Sequence, residues 1–121
     1  MTGAEGEEIA ANFLLKRGFR ILERNYRTAL GEIDIVAREG EALVFVEVKA
    51  RSGLQFGPPQ GAVDSRKQAK MSRVALAYLR HKKVDPCDCR FDVIAVVQNS
   101  GGVEVELFRN AFELSETGAG C

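Results

Sequence analysis

No apolar run in the 121-residue sequence approaches the ~20 residues needed to cross a bilayer as a helix, so no membrane association is expected. The first eight residues, Met1 to Glu8, are acidic and lack an apolar segment, which argues against a signal peptide. Cysteine is scarce, with Cys87, Cys89 and Cys121 only. Their odd number, and the closeness of Cys87 to Cys89, exclude a disulfide framework and point to a reduced, cytoplasmic protein. Histidine occurs once, at His81, so the Cys87-x-Cys89 pair lacks the four donors of a zinc centre. The same scarcity leaves no Ser-His-Asp or Cys-His arrangement. The glycines between Gly53 and Gly61 lack the Gly-Lys-Ser/Thr pattern of a phosphate loop. Net charge is absent as well, with 17 Lys and Arg balancing 17 Asp and Glu. A protein that simply coats nucleic acid would be basic overall. No repeat, linker or low-complexity segment divides the chain, and residues 1–121 are read as a single domain.

Periodicity supplies the elements. Thr2 with Glu5 has capping-box spacing, and Gly18 suits a helix stop. Between them Ile9, Ala10, Phe13 and Leu14 recur at helical spacing, which predicts a helix from about Gly3 to Arg17. Phe19 to Tyr26 reads as a strand. Glu32 to Arg38 and Leu43 to Ala50 alternate with period two and form two more, joined near Glu39-Gly40. Ser52 to Val63, with Pro58-Pro59 and its glycines, reads as a functional loop. Ser65 with Gln68 repeats the capping-box spacing. Met71, Val74, Ala75, Tyr78 and Leu79 then define a second helix to about Lys83. Arg90 to Val97 is nearly all apolar, as in a strand covered on both faces. Gly101-Gly102 marks a turn, and Val103 to Phe108 a last strand. The order α-β-β-β-α-β-β predicts an α/β fold, a mixed α+β sheet with helices packed on it.

The chemistry-bearing residues cluster on the second and third strands. In an antiparallel hairpin with an even turn, Glu32, Asp34 and Val36 share a face with Leu43, Phe45, Glu47, Lys49 and Arg51. A four-residue loop, Glu39 to Ala42, would set Asp34 opposite Glu47. A two-residue loop would make them diagonal neighbours, and an odd loop or a bulge would part them. The opposite face, Ile33, Ile35, Ala37, Val44, Val46 and Val48, is apolar throughout. The shared face is apolar near the turn and charged at its other end, so it passes from core into a charged pocket. Carboxylates converging there suit Mg2+ or Mn2+, hard ions that prefer oxygen ligands. The same spacing also fits cross-strand ion pairing, such as Asp34 with Lys49, on a solvated face. Glu7 falls at the edge of the first helix's apolar stripe and is a further candidate ligand, while Glu8 points outward. A first-turn glutamate also complements the helix dipole.

Charge is unevenly distributed. From Asp64 to Lys83, seven Lys and Arg stand against one acid. Arg66, Lys70, Arg73 and Arg80 occupy one sector of the second helix, which is either a solvated face or a rail of phosphate contacts. Lys67 and the helix N-terminus can add a phosphate site. With Arg51, the residues Arg66, Lys67, Lys70 and Arg73 form the candidate nucleic-acid-binding set.

The segments Gly31-Glu32-Ile33-Asp34-Ile35-Val36-Ala37 and Val44-Phe45-Val46-Glu47-Val48-Lys49, with Arg51, resemble the YraN family of small bacterial proteins. Gly6-Glu7 with Ala10-Ala11, and Arg90-Phe91-Asp92-Val93, fit the same pattern. That family is in turn similar to the restriction-endonuclease-like superfold with its PD-(D/E)xK signature, and to archaeal Holliday-junction resolvases. The resemblance implies an α-β-β-β-α-β core, here with an extra C-terminal strand. It implies that Asp34 matches the signature Asp, that Glu47-Val48-Lys49 matches the ExK, and that Glu7 matches the first-helix Glu of the resolvases. Ile33 stands where the signature has proline. A homodimer is implied by the same analogy.

The resulting expectation is a metal-dependent endonuclease acting on nucleic acid, DNA above all and branched DNA by analogy. Asp34 and Glu47, with Glu7, would bind Mg2+ or Mn2+, and Lys49 would orient or deprotonate the attacking water or stabilise developing charge. Asp34, Glu47 and Lys49 are thus the candidate catalytic residues. One rival is a nuclease-fold module that holds nucleic acid without cutting it. Another is an interaction protein that uses the strand Val103 to Phe108 and treats the charge cluster as structural.

Overall fold

The computed structural model describes residues 1–52, 63–85 and 88–114. Its elements are α1 (Gly3–Lys16), β1 (Arg20–Thr28), β2 (Gly31–Glu39), β3 (Ala42–Ser52), α2 (Ser65–Lys82), β4 (Cys89–Asn99) and β5 (Gly102–Phe112). The five strands form one sheet in chain order, antiparallel except for the parallel pair β3–β4. The element order and the mixed sheet are those read from the sequence. Most of the predicted loop between Ser52 and Val63, and both Cys87 and Cys121, lie outside the described residues; Cys89 is a free, half-buried thiol. Among the described residues no helix is long and apolar enough to cross a membrane.

Local chemistry sets the helix ends. Thr2 N–H donates to Glu5 Oε1 at 2.8 Å and Glu5 N–H donates to Thr2 Oγ1 at 3.1 Å, the reciprocal box that the sequence marks. At α2 the expected Ser65–Gln68 box is not formed. Asp64 caps the helix instead, accepting from Lys67 N–H at 2.9 Å, and Gln68 donates its side-chain amide to the Val63 carbonyl. An aspartate at that position offers the orphan N–H groups a charged acceptor, favoured by the helix dipole.

Each helix covers one face of the sheet. Ala10, Ala11 and Leu14 of α1 pack with Ile35, Ala37, Val44, Val46, Ile94 and Val96. On the other face Met71, Val74, Ala75, Tyr78 and Leu79 of α2 pack with Val36, Leu43, Phe45, Phe91 and Val93. Tyr78 meets Tyr26 and Phe45 edge-on, with ring centroids 5.2 and 5.8 Å apart. Ile33 departs from the expected alternation. It packs in the α2-side core with Val36 and Tyr26, not with Ile35, so β2 changes face around Asp34.

The turn-proximal end of the sheet is held by a polar network that periodicity does not reveal. Asp92 is fully buried. Its carboxylate accepts from Arg90 Nε at 3.0 Å, Arg90 Nη2 at 3.1 Å and Asn110 N–H at 3.1 Å. Asn110, at φ 53°, lies in the β5 stretch where the register with β4 shifts. Arg90 and Arg109 both reach Glu39, beside the β2–β3 turn. The Arg109 bond, followed by Arg90, lowers the Glu39 carboxyl to about 2.

At the opposite end α1 comes so near β3 that only glycine fits. A Cβ on Gly6 would lie 2.5 Å from Ala50 Cβ. This contact holds the first turns of α1, and Glu7 with them, over the C-terminal half of β3. Gly6→Ala should therefore cost about 1–3 kcal/mol, as overpacking does. Urea titration followed by circular dichroism measures it. An unchanged midpoint would show that α1 can shift without loss.

Candidate active site

The site begins where β2 leaves β3. A two-residue turn, Gly40-Glu41, separates the pair Glu39–Ala42, and the ladder runs back from there to Ile35–Val46. Continued one step, that register would set Asp34 and Glu47 directly opposite and not diagonal as expected for a two-residue turn. The pairing ends at Ile35–Val46, however, and the two carboxylates meet through their side chains. Two- and four-residue turns about the same centre leave the register unchanged.

Beyond Ile35–Val46 the β2–β3 ladder stops, although β3 stays paired with β4 as far as Ser52–Gln98. β2 stays paired with β1 as far as Thr28–Gly31. Residues Glu47 to Arg51 therefore have a free flank on the β2 side. Backbone N–H groups must find acceptors when buried. Val48 N–H finds one in the carboxylate of Asp34, donating to Oδ2 at 2.8 Å. The flank opens into a pocket of about 330 Å³ lined by Glu7, Asp34, Glu47, Lys49 and Lys67 among others. It lies toward the carboxyl end of β3, between its antiparallel neighbour β2, which has parted from it, and its parallel neighbour β4, which has not. Such ends are where open α/β sheets bind ligands.

Glu47 is 4% exposed. Burying a carboxylate this far is costly unless it is compensated. The compensation comes from two lysines. Lys67 Nζ lies 2.5 Å and Lys49 Nζ 3.6 Å from Glu47 Oε2. Lys67 was expected to add a phosphate site together with the N-terminus of the second helix. It instead reaches inward across the sheet edge, a contact between segments for which a single sequence carries no signal. Desolvation alone would lower the Lys67 pKa, but contact with Glu47 and the charges of Asp34 and Glu32 outweigh it and raise it.

Asp34 is the strained member. Burial first, and then the charge of Glu47, push its carboxyl from the ordinary 3.8 up to about 7, against the lowering effect of the Val48 N–H. A hydrogen-bonding contact with Glu47 and the charge of Glu7 add to the rise. Glu7, half-buried on α1, thus stands at the pocket's edge. Among the described residues no three acidic or soft donors converge into a ready-made metal cage. Asp34 and Glu47 form a pair, and Glu7 acts on it from farther away.

The remaining expected residues lie around this pocket. Arg66 and Lys70 are exposed on α2 and line an adjoining cleft of about 360 Å³ against Gly31 and Glu32. Lys67 borders both cleft and pocket. Arg51 is exposed at the end of β3, and Arg73 is exposed farther along α2, outside the cleft lining.

Residues 6–96 match the model of a family described as "Uncharacterised protein family UPF0102". A UPF0102 protein of Syntrophus aciditrophicus is 49% identical over 114 residues, covering 94% of this chain and 90% of the relative. One from Geotalea daltonii is 50% identical over 114 residues, covering 93% and 90%. One from Caldicellulosiruptor saccharolyticus is 46% identical over 112 residues, covering 91% and 95%.

The raised Asp34 carboxyl has a sign-definite consequence for stability. Its folded pKa exceeds the unfolded one, so its contribution is fully present below about pH 4 and is lost as pH rises through about 7. Asp34→Asn, which keeps an acceptor for Val48 N–H, should melt roughly 5–10 °C above wild type at pH 8 and near it at pH 4. Thermal scans at both pH values decide this. A lower melting point for the variant at pH 8 would contradict it.

Proposed function

Because the chain belongs to the uncharacterised protein family UPF0102, the YraN family of the sequence resemblance, whose description assigns no chemistry, we propose its function from its own pocket: metal-dependent hydrolysis of nucleic-acid phosphodiesters. The observation that carries this reading is the Asp34–Glu47 carboxylate pair in contact, with Lys49 beside it, at an open sheet end.

The donor set fits Mg2+ or Mn2+. Asp34 and Glu47 supply hard oxygens, and their mutual repulsion, expressed in the raised Asp34 carboxyl, is what a divalent cation relieves. Two carboxylates suffice for an ion whose remaining positions are taken by water and substrate phosphate. Such an ion, when bound, polarises the phosphoryl oxygen, eases loss of the leaving oxygen and makes water a better nucleophile. Lys49 Nζ, held near Glu47, orients the attacking water or stabilises charge growing on the phosphate. Arg66 and Lys70 grip backbone phosphates in the adjoining cleft, and Arg51 extends the cationic rim past the end of β3.

Lys49→Ala should lower cleavage about 10²–10⁴-fold while the protein stays folded, because the closer Lys67 still neutralises Glu47. Asp34→Asn should abolish both cleavage and Mn2+ binding. The assay is a time course on branched, single-stranded and duplex substrates with Mn2+ or Mg2+, with chelator controls and both variants purified alongside wild type. Equal cutting by wild type and variants would assign the activity to a contaminant. Binding by the wild type without cutting under any divalent ion would make the protein a nucleic-acid-binding module on a nuclease-like fold.

Arg66→Ala and Lys70→Ala should each reduce the slope of log affinity against log salt by roughly one unit, whereas Arg73→Ala should leave it unchanged. Fluorescence anisotropy across a salt series measures all three. Unchanged slopes for Arg66 and Lys70 would make that face merely solvated.

A further inference from the structure

Among the described residues Lys67 is the one side chain that borders both the carboxylate pocket and the basic cleft. Its backbone is pinned, because its N–H is bound to the Asp64 cap at 2.9 Å. Its ammonium pairs with Glu47 on the pocket side at 2.5 Å, while Glu32, which lines the cleft, acts on it only through its charge. The side chain is nonetheless 44% exposed and spans four flexible torsions, so it can turn about a fixed anchor. In the cleft it would join Arg66 and Lys70, exposed cations on the same turn and the next of α2.

Electrostatics makes the two positions exclusive. Glu47 is buried and needs a cation; among the described residues Lys67 and Lys49 supply it. A divalent ion on Asp34 and Glu47 would supply that charge more strongly and leave the Lys67 ammonium facing a cation at close range. Lys67 then gains by leaving, and a phosphate in the cleft is the nearest anion that could receive it.

We propose that Lys67 is a two-position counter-cation: it neutralises Glu47 while the pocket holds no divalent ion, and it swings into the basic cleft to hold a backbone phosphate of a nucleic-acid strand once such an ion takes Glu47. The inference rests on the metal-site reading and deepens it, because a single side chain then couples cation binding to strand binding. Coupling of this kind is reciprocal: whatever metal binding adds to strand affinity, strand binding adds to metal affinity.

Mn2+ titration calorimetry on wild type, Lys67→Met, Lys67→Gln and Lys67→Arg tests the first position. Without a charge to displace, Lys67→Met and Lys67→Gln should bind Mn2+ roughly tenfold tighter, a typical coupling through one contact, while Lys67→Arg stays near wild type. The Gln variant keeps a hydrogen-bond donor for Glu47 and serves if the Met variant folds poorly. The second position is tested by the affinity of a labelled single-stranded oligonucleotide with hydrolysis-resistant phosphorothioate linkages, with and without Mn2+, so that Lys49 stays beside Glu47. The gain in affinity on adding Mn2+ should be roughly tenfold smaller when Lys67 is replaced by Met or Gln. Mn2+ affinity that is unchanged or weaker in both neutral variants overturns the counter-cation role while leaving the metal site standing. An undiminished gain overturns the swing to phosphate. Absence of Mn2+ binding in wild type and every Lys67 variant removes the metal site and this inference together.

Discussion

The hydrogen bond from Val48 N–H to Asp34 is the contact on which the site depends. Up to Ile35–Val46 the second and third strands are an ordinary antiparallel pair. One step later a side-chain carboxylate accepts the N–H of β3. That substitution lets β2 turn away without leaving a donor unsatisfied, and the gap between the strands becomes the pocket. The same turning moves Ile33 into the α2-side core, where Tyr26 and Val36 cover it. A fully zipped hairpin would have placed Glu47 and Lys49 on a closed sheet with no open flank.

Two carboxylates on β2 show how far position sets behaviour. Glu39 meets two guanidinium groups near the turn and is held far below the ordinary range, at about 2. Asp34, five residues earlier on the same strand, is pushed up to about 7 by burial and a neighbouring carboxylate. The first arrangement fastens the hairpin to β4 and β5 through Arg90 and Arg109. The second keeps like charges together at a cost in stability. Strongly shifted groups cluster at functional sites, and ion-pair networks that serve architecture shift them too. Every buried polar side-chain atom among the described residues has a partner, so the strain lies in charge and not in missing hydrogen bonds.

Both helix starts contribute to this electrostatic pattern. The first turns of α1 are brought over β3 by the close approach at Gly6, and α2 delivers Lys67 from its first turn. Helix N-termini carry partial positive charge, which favours the acidic residues gathered nearby. The pocket is thus a meeting of four segments, α1, β2, β3 and α2, each contributing a charged group. Their separation in sequence accounts for the long gaps between Glu7, Asp34, Glu47 and Lys67.

Much of this was legible from one-dimensional patterns, because those patterns report local physics. Alternation in Glu32–Arg38 and Leu43–Ala50 has period two, as a half-buried strand requires, and it already put Asp34, Glu47 and Lys49 on one face. The Thr2–Glu5 box and the stripe from Met71 to Leu79 marked the helices for similarly local reasons. Other features were decided only in three dimensions. Whether Asp34 sits in a ladder or in place of one depends on where β2 parts from β3, and the face change at Ile33 breaks the alternation that the sequence displays. Asp64 took the cap from Ser65 because its carboxylate reaches the Lys67 N–H. Lys67 itself reads as one more cation on a basic helix until the fold carries it to Glu47. Periodicity determines which residues share an element's face; which faces meet, and therefore which charges must neutralise each other, is determined by packing between segments distant in the chain.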